Sequence, residues 1–207
     1  MRVTMKRKKH YRTTLKNSPL LYQETKRINQ LLLDDETPGQ IMEKVVEQDF
    51  LQLSSFSQRK SVGKEILYRL SLIDTTIQEM IQGEDNQTSK SLVVYCILCA
   101  DQLFQEFARE IYLDKLLTLR NEISKKEIIR FFERKAESDE TVANWKEYTF
   151  DRLARSFLQV LKEAGWVTEI KKSHYQIEKP FISTKARNYL KKEGYTPAVE
   201  VVLGELI

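Results

Sequence analysis

Residues 149–180, TFDRLARSFLQVLKEAGWVTEIKKSHYQIEKP, change their period partway along, and that change restricts the fold more than any other feature of the chain. Phe150, Leu153, Ala154, Phe157, Leu161 and Ala164 recur at three- and four-residue steps, which aligns them on one face of a helix. Arg152, Arg155, Ser156, Gln159 and Lys162 fall on the opposite face. Gly165 then ends the helix at a position where a positive φ is cheap. WVTEIKK and SHYQIEK follow, rich in β-branched and aromatic residues, and read as two short strands that meet at 171–174 and close at Pro180. The alternation turns Trp166, Ile170 and Ile177 inward and leaves Lys171, Lys172 and His174 at the tip.

Two further helices precede this unit. Ser124-Lys-Lys-Glu127 is a capping box that opens a helix carrying Ile128, Ile129, Phe131 and Phe132. Ser138 is placed to cap a short helix reaching Trp145, with Asp139 and Glu140 in the first turn where the helix dipole favours acids. Thr149 then caps the third helix. Three helices followed by a hairpin is the winged-helix order, in which the third helix enters the major groove and the hairpin tip meets the backbone. Residues 183–193 and 197–205 read as terminal helices that pack back on the body.

The earlier part of the chain has helical signals throughout. Ser18-Pro19 predicts a helix to about Leu33, with Leu21, Ile28, Leu31 and Leu32 facing inward. Thr37-Pro-Gly-Gln40 is a second capping box, and Ile41, Val45 and Val46 follow it. A long periodic segment spans 57–82 and stops at Gly83, and a largely buried helix is expected over 89–119. With 41% hydrophobic and 31% charged residues and only six Gly and four Pro in 207 residues, the composition agrees. The expected architecture is mainly α: a basic N-terminal arm (1–17), a helical bundle (18–120), and a C-terminal winged-helix-like unit of three helices plus a two-stranded β-hairpin with its terminal helices (121–207).

Several functions have no residues to carry them. The longest apolar stretch, 92–100, is far short of the roughly 20 residues that span a bilayer, and no apolar segment follows the basic N-terminus, so neither membrane insertion nor secretion is expected. Two cysteines form no disulfide framework, which suits a cytoplasmic protein. Cys96-Ile-Leu-Cys99 lies within an apolar helix, far from either histidine, and reads as core packing. There is no phosphate loop, dinucleotide fingerprint or metal-spaced His pair, so no catalytic residue, metal or cofactor is assigned and the chain is not expected to be an enzyme.

The net charge is only +4, but it is unevenly placed: residues 1–16 carry seven Lys or Arg and no acid, and residues 149–193 carry ten against five acids. This distribution suits a polyanion ligand. The candidate nucleic-acid contacts are Arg7, Lys8, Lys9 and Arg12 in the arm, and Thr149, Arg152, Arg155 and Lys162 on the third helix. Lys171 and Lys172 at the hairpin tip complete that group. Arg59 and Lys60 open another helix, where a solvated face is the simpler reading. Arginine can bind guanine in bidentate fashion and lysine can neutralise phosphate, whereas the arm adds affinity without reading sequence.

The segments SPLLYQETKRINQLLLDDET, FSQRKSVGKEILYRL, LFQEFAREIYLDKL and TFDRLARSFLQVLKEAGWV, in that order over about residues 18–180, resemble the BrxA family of bacteriophage exclusion (BREX) defence systems. The resemblance implies a small, non-enzymatic, DNA-binding accessory protein that works beside the methyltransferase, ATPase and phosphatase-like proteins of such systems. The family is also described as similar to NusB, which implies RNA binding as an alternative, and as an inner-membrane protein, which the hydropathy opposes. A protein-interaction scaffold within the defence complex is the other alternative. No residue-level site comes with the resemblance.

Overall fold

The computed structural model of the chain describes residues 11–194 and 196–206. It begins with a single 3-10 turn, Thr14–Lys16, that buries Leu15. The first helix, α1 (Tyr22–Leu33), starts later than the Ser-Pro signal predicts. A buried cation explains the delay: the Arg69 guanidinium donates to the Ser18 carbonyl at 2.5 Å and to the Pro19 carbonyl at 2.9 Å, so neither joins a helical ladder. The next helix, α2 (Pro38–Glu47), opens on its expected capping box, in which the Thr37 N–H donates to Gln40 Oε1 at 2.8 Å.

The helix expected over 57–82 is two helices, α3 (Phe56–Leu70) and α4 (Thr75–Gly83). The apolar period continues across the break, but Asp74 takes extended geometry and its Oδ1 accepts from the Ile77 N–H at 3.0 Å, which starts a new helix. The helix expected over 89–119 divides for the same reason. It begins earlier, as α5 (Asn86–Ala100) under the Asp85 cap, and the chain then bends by 113° at Asp101. Asp101 Oδ1 accepts from the Phe104 N–H at 2.9 Å and starts α6 (Gln102–Phe107). A π-type segment, Ala108–Leu113, carries α6 into α7 (Asp114–Leu117).

Beyond it lies β1 (Glu122–Ser124), a strand too short for any alternation to announce. The Ser124 capping box then opens α8 (Lys125–Ala136) as expected. The short helix α9 (Glu140–Ala143) is capped by Asp139, not Ser138, with Asp139 Oδ1 accepting from the Val142 N–H at 3.1 Å. Thr149 does not cap the next helix either, because α10 (Glu147–Glu163) begins before it and Thr149 is buried in its first turn. Gly165, at φ +76°, ends the turn after α10. The hairpin strands are β2 (Val167–Lys171) and β3 (His174–Ile177), and β1 pairs antiparallel with β3 to give a three-stranded sheet of order β1-β3-β2. The first expected terminal helix is α11 (Thr184–Glu193), capped by Ser183, and the second, α12 (Pro197–Leu203), starts at Thr196-Pro197.

The architecture is mainly α with one small antiparallel sheet near the C-terminus. One buried apolar cluster runs from Tyr11 to Leu203, on both sides of residue 120, because α12 packs on α5 and α10 packs on both α8 and the 3-10 turn. Its centre is aromatic: Phe157 meets Phe104 edge-on at 4.9 Å and Phe132 at 5.3 Å. A phenylalanine sealed in this way contributes roughly 2–3 kcal/mol. Cys96 is part of the same core, and burial pushes its thiol pKa far up.

Candidate nucleic-acid interface

Two packing contacts on α10 decide what its outer face displays. Leu153, Phe157 and Leu161 face the core, and the Thr14–Lys16 turn covers a second side, so Ser156, expected on the polar face, is buried. Arg152, Arg155, Gln159 and Lys162 remain exposed.

The hairpin is fixed to the body at its base. Trp166 is fully buried, its Nε1–H donates to Ser91 Oγ on α5 at 3.1 Å, and its indole stacks on Tyr112 at 5.5 Å. Tyr112 OH donates to the Glu178 carbonyl at 2.6 Å just beyond β3. Val167 and Ile177 pair across the strands and are buried. Ile170 is instead 50% exposed, contrary to the simple alternation, because the register between Glu169 and Lys171 is broken there. A bulge at that point reverses the direction of the side chain. Lys171 and Lys172 are both exposed, and Ser173 makes the turn at φ +64°.

Between α10 and β3 lies an open cleft of about 430 Å³ lined by Arg155, Gln159, Lys162, Glu163 and Tyr175. A second, of about 520 Å³, runs from Lys162 and Gly165 along β2 to Lys171 and Lys172. Lys162 lines both, so the two clefts adjoin at its side chain and together carry four cations along their edge. The first two are ion-paired: Arg155 with Asp151, which also holds Lys125, and Lys162 with Glu169 at 2.7 Å. The hydrogen bond from Lys125 and then that from Arg155 hold the Asp151 carboxyl below its usual range, and the Lys162–Glu169 bond moves those two pKa values apart. Asp151, Lys162 and Glu169 are therefore charged at neutral pH. Both cations are more than half exposed, where solvent screening makes a carboxylate easy to exchange for another anion.

The other sequence candidates are placed elsewhere or held by the protein. Arg152 donates to Asn17 Oδ1 at 2.9 Å, which ties α10 to the base of the arm. Arg12 donates to Glu65 at 2.5 Å and lies 5.0 Å over the Tyr68 ring, and Tyr11 OH donates to Glu106 at 2.8 Å. The last residues of the expected arm are thus a fixed root, with Tyr11 and Leu15 buried. Arg7, Lys8 and Lys9 lie outside the described residues. Arg59 pairs with Asp49 at 3.4 Å and Lys60 is exposed beside it, on a helix that packs chiefly against α1, α2 and α5. Tyr175 is a groove residue absent from the sequence candidates; strand alternation sets it on the same face as the buried Ile177 and so reads it as inward.

Next to Arg12, Arg69 also donates to Glu65, at 2.9 Å, and Asp101 is fully buried in the same neighbourhood. Burial pushes the Asp101 carboxyl up to about 6. Among the described residues no three His, Cys, Asp or Glu side chains converge as metal ligands, and no single helix is long and apolar enough to cross a membrane.

The fold and this surface define a mainly α protein whose last long helix and hairpin share a cationic groove. The pattern of the BrxA family matches residues 9–194, and the chain belongs to that family. A BREX protein BrxA of Bacillus cereus is 29% identical over 195 residues, covering 94% of this chain and 97% of the relative. Another of the same name from Escherichia coli O9:H4 is 20% identical over 191 residues, covering 92% and 89% of the two chains. The crystal structure of an uncharacterized protein from Magnetospirillum magneticum superposes with a TM-score of 0.81 at 20% identity, covering 95% of this chain and all of that one, and so shares the fold.

Proposed function

We propose that this chain is a non-enzymatic, cytoplasmic DNA-binding component of a bacteriophage exclusion system, with α10 and the hairpin as a winged-helix surface against duplex DNA. The observation that carries the reading is the shared groove, in which Arg155, Lys162, Lys171 and Lys172 follow one another from helix to hairpin tip. Such a row suits phosphate contacts, which position a protein on DNA without reading its sequence. Each phosphate neutralised by a cation releases counterions and adds about 0.9 to the slope of log affinity against log salt. Tyr11 and Arg12, at the end of the basic N-terminal segment, are themselves held to the body.

Fluorescence anisotropy of a labelled duplex, titrated at several salt concentrations, tests this. Arg155→Glu with Lys162→Glu is expected to weaken binding by at least about tenfold at low salt and to make the salt slope shallower by about two. A wild-type chain that fails to bind duplex DNA at low salt would overturn the reading. Single-stranded RNA that outcompetes the duplex would favour a NusB-like role instead. A scaffold role has one observation behind it: a cleft between α8 and α10, of about 300 Å³, has Ile129 and Phe150 in it and Glu133, Glu147 and Asp151 around it. Co-purification with another protein of the defence system at fixed ratio, without DNA affinity, would favour that role.

A further inference from the structure

A second cationic surface lies on the other side of the α5 start. Tyr22, Lys26 and Gln30, with Gln23 and Arg27, share one face of α1 at four-residue steps. They border a cleft of about 400 Å³ whose far wall is Gln82 and Asn86. The Tyr22 ring has the ammonium of Lys26 at 5.9 Å and that of Lys90, from α5, at 5.8 Å. Arg27 lies 4.6 Å over Phe50. Among the described residues no carboxylate forms an ion pair with Lys26, Arg27 or Lys90, whereas Arg155 and Lys162 in the α10 groove are both ion-paired. Of the acids nearest Lys90 in sequence, Asp85 caps α5 and accepts from Thr88, and Glu84 pairs with Lys185 at 3.5 Å, while Glu24 stands in the first turn of α1, three residues before Arg27. Three cations near one another repel, and the faces of two aromatic rings offset this only in part.

The two cationic surfaces meet at the first turn of α5. Asn86 borders the α1 cleft, and its neighbour Gln87 abuts Gly165, where a Cβ would come within 3.2 Å of Gln87 Oε1. Gly165 in turn lines the groove that leads along β2 to Lys171 and Lys172. Gln87 and Asn86, adjacent in the first turn of α5, thus stand between the hairpin-side cleft at Gly165 and the α1 cleft at Lys26.

We propose that the α1 cleft is a second phosphate-contact patch, so that one DNA duplex extends from the α10 groove across the start of α5 onto α1. The proposal rests on the DNA-binding reading above. The ammonium groups of Lys26 and Lys90 and the Arg27 guanidinium meet the phosphodiester oxygens, and the side-chain amides of Gln23 and Asn86 supply neutral donors. The patch works only on a duplex long enough to reach it.

A length series separates the two surfaces. Labelled duplexes of about 10 and about 24 bp are titrated with wild type, with Lys26→Glu/Lys90→Glu, and with Arg155→Glu/Lys162→Glu. The α1 variant is expected to weaken binding of the long duplex by about tenfold and to lower its salt slope by about two, while leaving the short duplex unaffected. The α10 variant is expected to weaken both. The milder Lys26→Gln/Lys90→Gln variant, checked for an unchanged urea midpoint, should show the same length dependence at reduced size. If the α1 variants bind the long duplex like wild type while the α10 variant does not, the second patch is refuted and the α10 reading stands. Equal loss on both lengths refutes the spanning arrangement. If the wild type binds neither duplex, the DNA-binding reading itself falls.

Discussion

The root of the arm and the α10–hairpin groove are built from the same residue types and behave differently. At the root the Arg69–Glu65 pair is 2.9 Å long with side chains only 1% and 8% exposed, and Arg12 and Asp101 complete the cluster. In the groove the Lys162–Glu169 pair is shorter, at 2.7 Å, with side chains 54% and 37% exposed. Bond length does not separate them, but access to water does. A buried ion that loses its partner has nothing to replace it and bears the full cost of desolvation. An exposed one returns to solvent or takes another anion, which is what a surface that contacts phosphate needs.

The largest effect that would break this contrast is Arg69→Ala. It leaves Glu65 with a single cation and frees the Ser18 and Pro19 carbonyls, and it should lower unfolding stability by about 3–5 kcal/mol, read from urea denaturation. A loss close to zero would mean that the cluster is no tighter than a surface pair.

The next effect is pH-dependent. The folded-state pKa of Asp101, about 6, lies above the roughly 3.9 of an unfolded chain, so the folded protein holds that proton more tightly. Its contribution is complete below about pH 4, is lost as pH rises through 6, and is flat above that. Two pKa units correspond to about 3 kcal/mol. Asp101→Asn keeps a carbonyl oxygen for the Phe104 N–H, so the stability of wild type relative to this variant should fall by up to that amount between pH 4 and 6. A constant difference across that window would show that Asp101 is ordinary.

The smallest effect sharpens the other side of the comparison. Glu169→Gln should leave the urea midpoint unchanged, because the pair it breaks is solvated. It should also release Lys162, raise affinity for duplex DNA at low salt, and steepen the salt slope by up to about one. A measurable stability loss would mean that the hairpin depends on the pair.

Much of the fold was readable because its signals are local. The Thr37 and Ser124 capping boxes, the apolar face of α10 and the stop at Gly165 each involve residues within a turn or two of one another. The breaks at Asp74 and Asp101 have no comparable local signal, because the apolar spacing continues through them and a single aspartate N-cap in such a run is a weak mark. At the candidate site, the exposed positions of Arg155, Lys162, Lys171 and Lys172 follow from periodicity, but their partners do not. Arg155–Asp151 is an i,i+4 pair and in principle legible, whereas Arg12–Glu65 and Arg152–Asn17 join segments far apart in the chain.

The sequence by itself determined where α2, α8, α11 and α12 start, that one helix ends in a hairpin, and that positive charge gathers in the arm and the C-terminal third, since each depends on neighbours along the chain. Only the tertiary structure decided the rest. It paired β1 with β3, buried Ser156 and Thr149, turned Ile170 outward, and closed Arg12 and Arg69 around Glu65. It also brought Gln87, in the first turn of α5, beside Gly165. These outcomes depend on which surfaces exclude water together, and that is set by packing between segments that carry no mark of one another in their own residues.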